Sequence, residues 1–203
     1  MYKFVERTIA PTQSNATDKI YYFSSNNIYY TSGYGMPNCT AYALGRVNEL
    51  SALNNTSYPD VGGFAGNGET WGQTGYIGQN WLKSDKPMLG AIAVWSGGSG
   101  SGVGHVAPVE AIYEDGTIKT SNSGWHGSAN VGNESDSRWW WIEDHLDYQN
   151  YSTYEFMYFL YPNYIDKEPT PPDPPEPPEP PEPPKDKKSW IPLAICKAMP
   201  YNL

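Results

Sequence analysis

Residues 33–50 read Gly-Tyr-Gly-Met-Pro-Asn-Cys-Thr-Ala-Tyr-Ala-Leu-Gly-Arg-Val-Asn-Glu-Leu, and within them a turn-rich segment becomes helical in its periodicity. Apolar residues recur at helical spacing after Cys39, and Asn38 is placed to cap the helix. Cys39 then falls in the first turn, where unpaired N–H groups and the helix dipole favour a thiolate. We therefore expect a nucleophilic Cys39, activated further if a histidine lies nearby.

Strand-like patterns replace helical ones after Pro87. An Asp-Gly pair at 115–116 is typical of a tight hairpin and joins two of the expected strands. A helix followed by an antiparallel meander predicts an α+β fold, in which the helix carrying the cysteine packs on a sheet carrying a histidine. Residues 1–30 are expected to form an irregular arm, and a short second helix is expected at 69–76. The expected strands are residues 90–95, 105–112, 117–122, 138–142 and 155–161.

His105 is the best placed of the three histidines, because it opens a strand directly after the glycine-rich loop 97–104. Strand alternation puts Glu110 on the opposite face, so Glu110 is not expected to orient the His105 ring. Asn122, on the return strand, is the expected orienter in a Cys-His-Asn arrangement, although it equally fits an Asx turn. Pro108 lacks an N–H donor and predicts an edge strand or a bulge.

Tryptophans offer stacking surfaces for sugars or peptides, and Trp71, Trp95 and Trp125 are the expected substrate-binding residues. The run 139–141 is three consecutive tryptophans. Alternation sends Trp140 to the opposite face from its neighbours, so at least one of the three is expected in the core. His126 and His145 are expected to be structural or surface residues.

The formal net charge of −9 disfavours nucleic acid as a partner, because phosphate backbones would be repelled. Neither a phosphate-binding loop nor a C-x-x-C or H-E-x-x-H pattern occurs. We therefore expect no cofactor and no metal. No segment approaches the roughly 20 apolar residues of a membrane span, and the N-terminus does not resemble a signal peptide, so synthesis in the cytoplasm is expected.

Composition divides the chain into three parts. Residues 1–165 are expected to form one catalytic domain with its core at about 30–162. Residues 166–188 are rich in Pro and Glu and predict an extended linker. Residues 189–203 form a short apolar tail, which would dock on the domain, touch a membrane surface or bind a partner. Its Cys196 is expected to be a bystander thiol.

Four segments together resemble the CHAP family of cysteine peptidoglycan hydrolases: residues 37–46, 89–95, 104–110 and 120–124. The likeness covers roughly residues 30–162. It implies a papain-like fold of the CHAP and NlpC type, with Cys39 as nucleophile, His105 as general base and a third polar residue behind the histidine. The implied reaction is N-acetylmuramoyl-L-alanine amidase or endopeptidase cleavage, with the oxyanion held by backbone N–H groups near Cys39.

The chain departs from that family at two places. Many members carry an acidic residue where this chain has residues 120–122. Some members bind calcium through an acidic loop before the cysteine, and this chain has no such acidic loop before Cys39. The combination of one catalytic domain, no leader and a proline linker resembles a phage or prophage endolysin that reaches the wall through a holin-made membrane hole. An autolysin exported by another route and a catalytically silent wall-binding module are the alternatives.

Overall fold

The computed structural model describes residues 2–62, 66–73, 78–98, 103–125 and 133–165. Contacts divide the chain into two units, Met1–Thr170 and Pro171–Leu203, and every described residue lies in the first. The predicted linker and tail, with Cys196, lie outside the described residues, as does His126. The predicted domain boundaries therefore stay predictions.

The principal helix, α2, spans Cys39–Leu53. Asn38 is extended and its side chain accepts from the backbone N–H groups of Thr40 and Ala41, at 2.9 and 3.4 Å. The predicted helix start is thus confirmed. A six-residue helix, α1, spans Ala16–Tyr21 within the arm that was expected to be irregular.

One antiparallel sheet of six strands lies against α2. The strands are β1 Trp81–Ser84, β2 Ile92–Ser96, β3 His105–Ile112, β4 Ile118–Asn122, β5 Trp141–Leu146 and β6 Glu155–Pro162. Their order in the sheet is β1-β6-β2-β3-β4-β5. The β3 bounds agree with the sequence prediction, β1 was not predicted, and β5 begins three residues later than expected.

The expected helix at 69–76 is a single 3-10 turn at Gly68–Thr70, and residues 74–77 are not described.

Pro108 does not lie on an edge strand, because β3 runs between β2 and β4. The register of β3 against β4 shifts between Val109 and Ala111, directly after Pro108. Of the two expectations for Pro108, the edge is therefore wrong and the irregularity is present. The strand tolerates the missing donor where its hydrogen-bonding pattern already changes.

Each face of the sheet has its own hydrophobic core. The α2 face packs Ile92, Val94 and Val106 against the helix. The opposite face packs Trp95, Ala107 and other small and aromatic side chains under a layer of tyrosines. The sheet is therefore buried on both sides, which explains why β2 reads as a continuous apolar run.

A buried ionic cluster joins α2, the sheet and the N-terminal arm. The guanidinium of Arg46 donates to both carboxylate oxygens of Glu110, at 3.0 and 2.9 Å, and the two side chains are 3% and 0% exposed. Arg7 from the arm pairs with Glu49 and with Asp18. These charges are compensated by one another inside the domain, so the arm is an integral part of the fold.

No helix in the described residues has the length and apolarity needed to cross a membrane.

Candidate active site

Cys39 is the first residue of α2 and is partly exposed at the floor of a cleft of about 470 Å³. Backbone groups of Val106, Thr40 and Cys39 lie near the thiol and act to lower its pKa. Val106 follows His105 in β3, so the helix start and the strand start meet at this point. The cleft is lined by Asn38, Cys39, Gly66, Asn67, Gly68, Val103, Gly104, His105, Gly124, Trp125, Arg138, Trp141, Tyr151 and Tyr154.

The electrostatics of the site favour a neutral resting pair. Loss of solvation raises the pKa of the Cys39 thiol to about 11, and the nearby backbone groups oppose this shift only in part. Loss of solvation also lowers the pKa of His105, while the hydrogen bond with Asn122 acts in the opposite sense. The expected stabilisation of the thiolate is therefore outweighed by burial, and near pH 7 the cleft contains a neutral thiol and a neutral imidazole.

The His105 ring has a hydrogen-bond partner on the neighbouring strand. Its Nε2 atom lies 3.0 Å from Oδ1 of Asn122. The Asn122 amide nitrogen donates to Oγ1 and O of Thr120, at 3.0 and 3.2 Å, which fixes the orientation of the amide. Since Oδ1 can only accept, the neutral ring carries its proton on Nε2 and has its lone pair on Nδ1.

Aromatic rings enclose the imidazole. Tyr154, Trp95 and Trp141 lie nearly parallel to it, with ring centroids 5.7, 5.9 and 6.2 Å away. Tyr154 also lies close enough to Cys39 that the thiolate charge contributes to raising the tyrosine pKa. These rings remove water from His105 and restrict its rotation, which is the physical origin of its lowered pKa.

Two glycines hold the loop around Glu69 against the start of β3. A Cβ on Gly68 would lie 2.9 Å from the carbonyl carbon of His105. Gly104 has φ +57, and a Cβ there would collide with the carbonyl oxygen of Trp95 and lie 2.6 Å from Cβ of Glu69. Only glycine permits this approach, so the glycine-rich sequence before His105 has a packing function.

The three expected substrate-binding tryptophans have different environments. Trp71 and Trp95 are 0% exposed, so neither offers a ring face to a ligand and that expectation is wrong for both. Trp71 stacks on Tyr29 in the core, and Trp95 packs behind His105. Trp125 is 43% exposed and lines the cleft.

The tryptophan run 139–141 is also divided by the fold. Trp139 is 2% exposed in the core on the α2 face, which confirms that at least one of the three is structural. Trp140 packs against the same core and donates to the hydroxyl of Tyr42 at 2.9 Å. Trp141 lines the cleft. Alternation fails for Trp139 and Trp140 because both precede the strand.

Several cleft residues escaped the sequence analysis. Tyr151 and Tyr154 reach it from the turn before β6, and Arg138 reaches it from the segment before β5. None of them belongs to a recognisable motif. The sequence shows only that many aromatic residues lie beside the predicted strands. Core residues show the same pattern, so it does not identify cleft residues.

Among the described residues, no three His, Cys, Asp or Glu side chains cluster in a way that could hold a metal ion. His145 lies in β5 at the surface. Its exposed ring stacks on the ring of Tyr113, with 3.9 Å between the two ring centroids.

Residues 29–124 match the model of the CHAP domain family, and no solved structure matches significantly. The matched range includes Cys39, His105 and Asn122, whereas β5, β6 and the arm lie outside it. CHAP domains are generally hydrolases that depend on cysteine and histidine. The helix-borne cysteine packed on an antiparallel sheet with the histidine confirms the papain-like α+β architecture. Residues 29–124 of the chain therefore form a CHAP domain, the domain of a family of peptidoglycan hydrolases.

Proposed function

We propose that the chain cleaves an amide bond in the peptide part of peptidoglycan, with Cys39 as nucleophile, His105 as general base and acid, and Asn122 orienting the imidazole. The observation that carries the proposal is the hydrogen bond of 3.0 Å between His105 Nε2 and Asn122 Oδ1 in the cleft that also contains Cys39. This bond leaves Nδ1 as the basic nitrogen for the thiol.

In the first step, Nδ1 of His105 takes the proton of the Cys39 thiol while Sγ attacks the carbonyl carbon of the amide. Because both groups are neutral at rest, the proton moves as the bond forms. The imidazolium keeps its Nε2 hydrogen bond to Asn122, which holds the ring in place. Nδ1 then protonates the leaving amine as the C–N bond breaks, giving a thioester on Cys39.

In the second step, Nδ1 of His105 removes a proton from water, and the hydroxide attacks the thioester carbonyl. The returning proton regenerates the thiol as the carboxylic acid product leaves. Overall, one water is consumed and one amide becomes an acid and an amine.

The oxyanion of each step is proposed to bind the backbone N–H of Cys39. The capping contacts support this choice, because the other amides at the helix start already donate within the protein. The N–H of Asn38 donates to Oγ of Ser123 at 3.1 Å, and those of Thr40 and Ala41 donate to the Asn38 side chain. Placement at the positive end of α2 adds to the stabilisation.

The test is clearance of a suspension of purified cell walls. The chain is expected to clear the walls, and Cys39→Ala is expected to sediment with them without clearing. Clearance by Cys39→Ala would contradict the thiol mechanism. Equal sedimentation of both forms without clearance by either would favour the silent wall-binding module.

The scissile bond is read from the fragments by mass spectrometry. Amidase cleavage releases stem peptides and leaves free muramic lactyl groups. Endopeptidase cleavage leaves sugar-peptide units with cut stems or bridges. The cleft is lined mainly by apolar and aromatic side chains, which suits a peptide in either reaction.

We further propose an endolysin role, with synthesis in the cytoplasm and holin-dependent access to the wall. Its support is the CHAP domain at residues 29–124 together with the Pro- and Glu-rich segment that follows the domain. Expression in a host with and without a co-expressed holin tests it. Lysis only in the presence of the holin is the expected result, and lysis in both cultures would contradict it.

A further inference from the structure

Tyr154 places a phenol beside the reacting pair. Its ring centroid lies 5.7 Å from that of His105, with 25° between the two planes, and the residue lines the cleft that contains Cys39. Tyr154 lies in the turn before β6, outside the residues that match the CHAP family. Its hydroxyl takes no part in the proton transfers between Cys39 and His105, so its function is open.

The hydroxyl of Tyr154 is available as a hydrogen-bond donor. Among the described residues it has no hydrogen-bond partner. The side chain is half-buried, and loss of solvation is the main cause that raises its pKa, followed by the charge of the Cys39 thiolate. The phenol therefore keeps its proton at neutral pH and can donate it to a ligand.

This hydroxyl lies in the part of the cleft where the amide has to react. A scissile carbonyl carbon approaches Sγ to about 3–3.5 Å before the bond forms, so the carbonyl oxygen also lies close to the thiol. Tyr154 is near enough to Cys39 for the charges of the two groups to interact. Its ring is also stacked on the imidazole that serves the same thiol. A phenol in this place is next to the carbonyl oxygen when the amide approaches.

The ring of Tyr154 is held in place by its neighbours. The rings of His105 and Tyr151 both lie 5.7 Å from it, measured between centroids. The backbone N–H of Tyr154 donates to the carbonyl oxygen of Tyr151 at 3.1 Å, which closes the turn before β6. A donor that is fixed before the reaction does not have to reorganise when charge develops, so its hydrogen bond contributes more to catalysis.

Tyr151 brings a second phenol to the cleft, but its hydroxyl has a different environment. Burial raises the pKa of Tyr151 to about 12, and the charge of Glu143 is the next cause. Glu143 also accepts from Nε1 of Trp141 at 3.0 Å. A carboxylate so near competes with a ligand for the phenol proton. Tyr154 has no such competitor in the part of the chain that the structure describes, so it is the better donor toward substrate.

We propose that the hydroxyl of Tyr154 donates a hydrogen bond to the oxyanion that forms on the scissile carbonyl, beside the backbone N–H of Cys39. This inference rests on the proposed function, since it assigns a further residue to the same reaction. As negative charge grows on the oxygen, the hydrogen bond from a half-buried phenol strengthens. The transition state therefore gains more than the bound substrate does. Tyr154 is a catalytic residue in this scheme, and its proton stays on the phenol throughout.

The test is Tyr154→Phe, which removes the hydroxyl and keeps the ring against His105. In hydrolysis of soluble wall fragments, kcat is expected to fall about 10- to 100-fold while KM changes by less than about twofold. Alkylation of Cys39 by iodoacetamide at pH 9 displaces iodide from carbon and forms no oxyanion, so its rate is expected to be unchanged. Full hydrolysis by Tyr154→Phe would overturn the proposal. An equal fall of both rates would also overturn it, because the hydroxyl would then act on the thiol.

Two matched variants each remove one hydroxyl elsewhere. Tyr148→Phe changes a ring in the 3-10 turn Tyr148–Asn150, which is outside the cleft lining, and is expected to leave kcat unchanged. Tyr151→Phe is expected to lower kcat less than Tyr154→Phe does. A loss in Tyr148→Phe, or a loss in Tyr151→Phe as large as that in Tyr154→Phe, would contradict the assignment to Tyr154.

Failure of the proposed function has a different signature. If the unmodified protein does not hydrolyse the fragments, the hydrolase mechanism fails and the role of Tyr154 fails with it. If the unmodified protein is active, Cys39→Ala is inactive and Tyr154→Phe is fully active, only the role of Tyr154 fails.

Discussion

The Nε2 atom of His105 and the Oδ1 atom of Asn122 are 3.0 Å apart, on neighbouring strands of the sheet. The contact has a defined direction because the Asn122 amide nitrogen is already committed to Thr120. The Asn122 amide therefore fixes the tautomer and restricts the rotation of the ring. Because this amide brings no negative charge, burial keeps the pKa of His105 below its ordinary value.

Asn122→Ala is expected to lower kcat/KM by about 10- to 100-fold, because the imidazole loses its orienting acceptor. Binding of walls by the Cys39→Ala, Asn122→Ala double variant is expected to equal that of Cys39→Ala. Thr120→Val removes one of the two acceptors that hold the amide and should have a smaller effect in the same assay. Full activity in Asn122→Ala would remove this residue from the mechanism.

The pH dependence of Cys39 reactivity distinguishes a neutral pair from an ion pair. With a thiol pKa of about 11, alkylation of Cys39 by iodoacetamide without substrate is expected to be slow at pH 7 and to rise steadily above pH 9. Hydrolysis, by contrast, needs neutral His105 and is expected to fall only below about pH 6.5, because burial lowers that pKa. An alkylation rate that is already high near pH 5 and changes little above that pH would instead show an ion pair of the Cys39 thiolate with the His105 imidazolium.

Stability should fall on both sides of neutrality. The folded pKa of His105 lies below its unfolded value, so the unfolded chain binds more protons and stability is lost as pH falls from about 6.5. The folded pKa of Cys39 lies above its unfolded value, so stability is lost as pH rises from about 9 to about 11. Denaturant titrations over pH check both, and Cys39→Ala should abolish the alkaline loss attributable to this thiol.

Gly104→Ala is expected to lower the free energy of unfolding by about 3 kcal/mol, from backbone strain at φ +57 and from collision with Trp95 and Glu69. The matched control is Gly116→Ala. Gly116 has φ +85 but no neighbour within 4 Å of a built Cβ, so only the strain of about 1 kcal/mol applies. Equal losses in urea denaturation would show that packing at the start of β3 is unimportant.

Arg46→Met is expected to cost about 3–5 kcal/mol of folding free energy, because Glu110 is left charged and buried. Lys119→Met, which breaks the more exposed pair with Glu6, should cost less than about 1 kcal/mol. Thermal and urea unfolding measure both. A small loss in Arg46→Met would mean that water or another group compensates Glu110.

Substitutions of Trp125 and Trp95 are expected to have different effects, the first on substrate binding and the second on folding stability. Trp125→Ala is expected to raise KM for soluble wall fragments by about three- to tenfold with unchanged thermal stability, since the ring is exposed in the cleft. Trp95→Ala should instead destabilise the fold by about 3–5 kcal/mol, because it empties a buried site and removes the 2.8 Å bond to the Tyr148 carbonyl. An unchanged KM in Trp125→Ala would exclude a stacking role.

Local patterns predicted the helix start at Cys39, the bounds of β3 and the place of Asn122 on the return strand, because capping, strand and turn signals depend on neighbours in sequence. They failed for β5 and for Trp71 and Trp95. Whether a tryptophan is buried depends on which other segments cover it. Aromatic residues of a core and of a cleft have the same pattern in the sequence. The helix at Ala16–Tyr21 was missed because six residues give little periodicity.

By itself, the sequence determined the α+β class and the pairing of a helix-borne Cys39 with a strand-borne His105, since both follow from short-range periodicity and order along the chain. Only the tertiary structure decided the protonation of that pair and which residues line the cleft. The pKa shifts of Cys39 and His105 arise from desolvation by distant segments, and Arg138 reaches the cleft through main-chain contacts with Ser123 and Gly124. Solvation and charge depend on what surrounds a group in space, which residue order does not record.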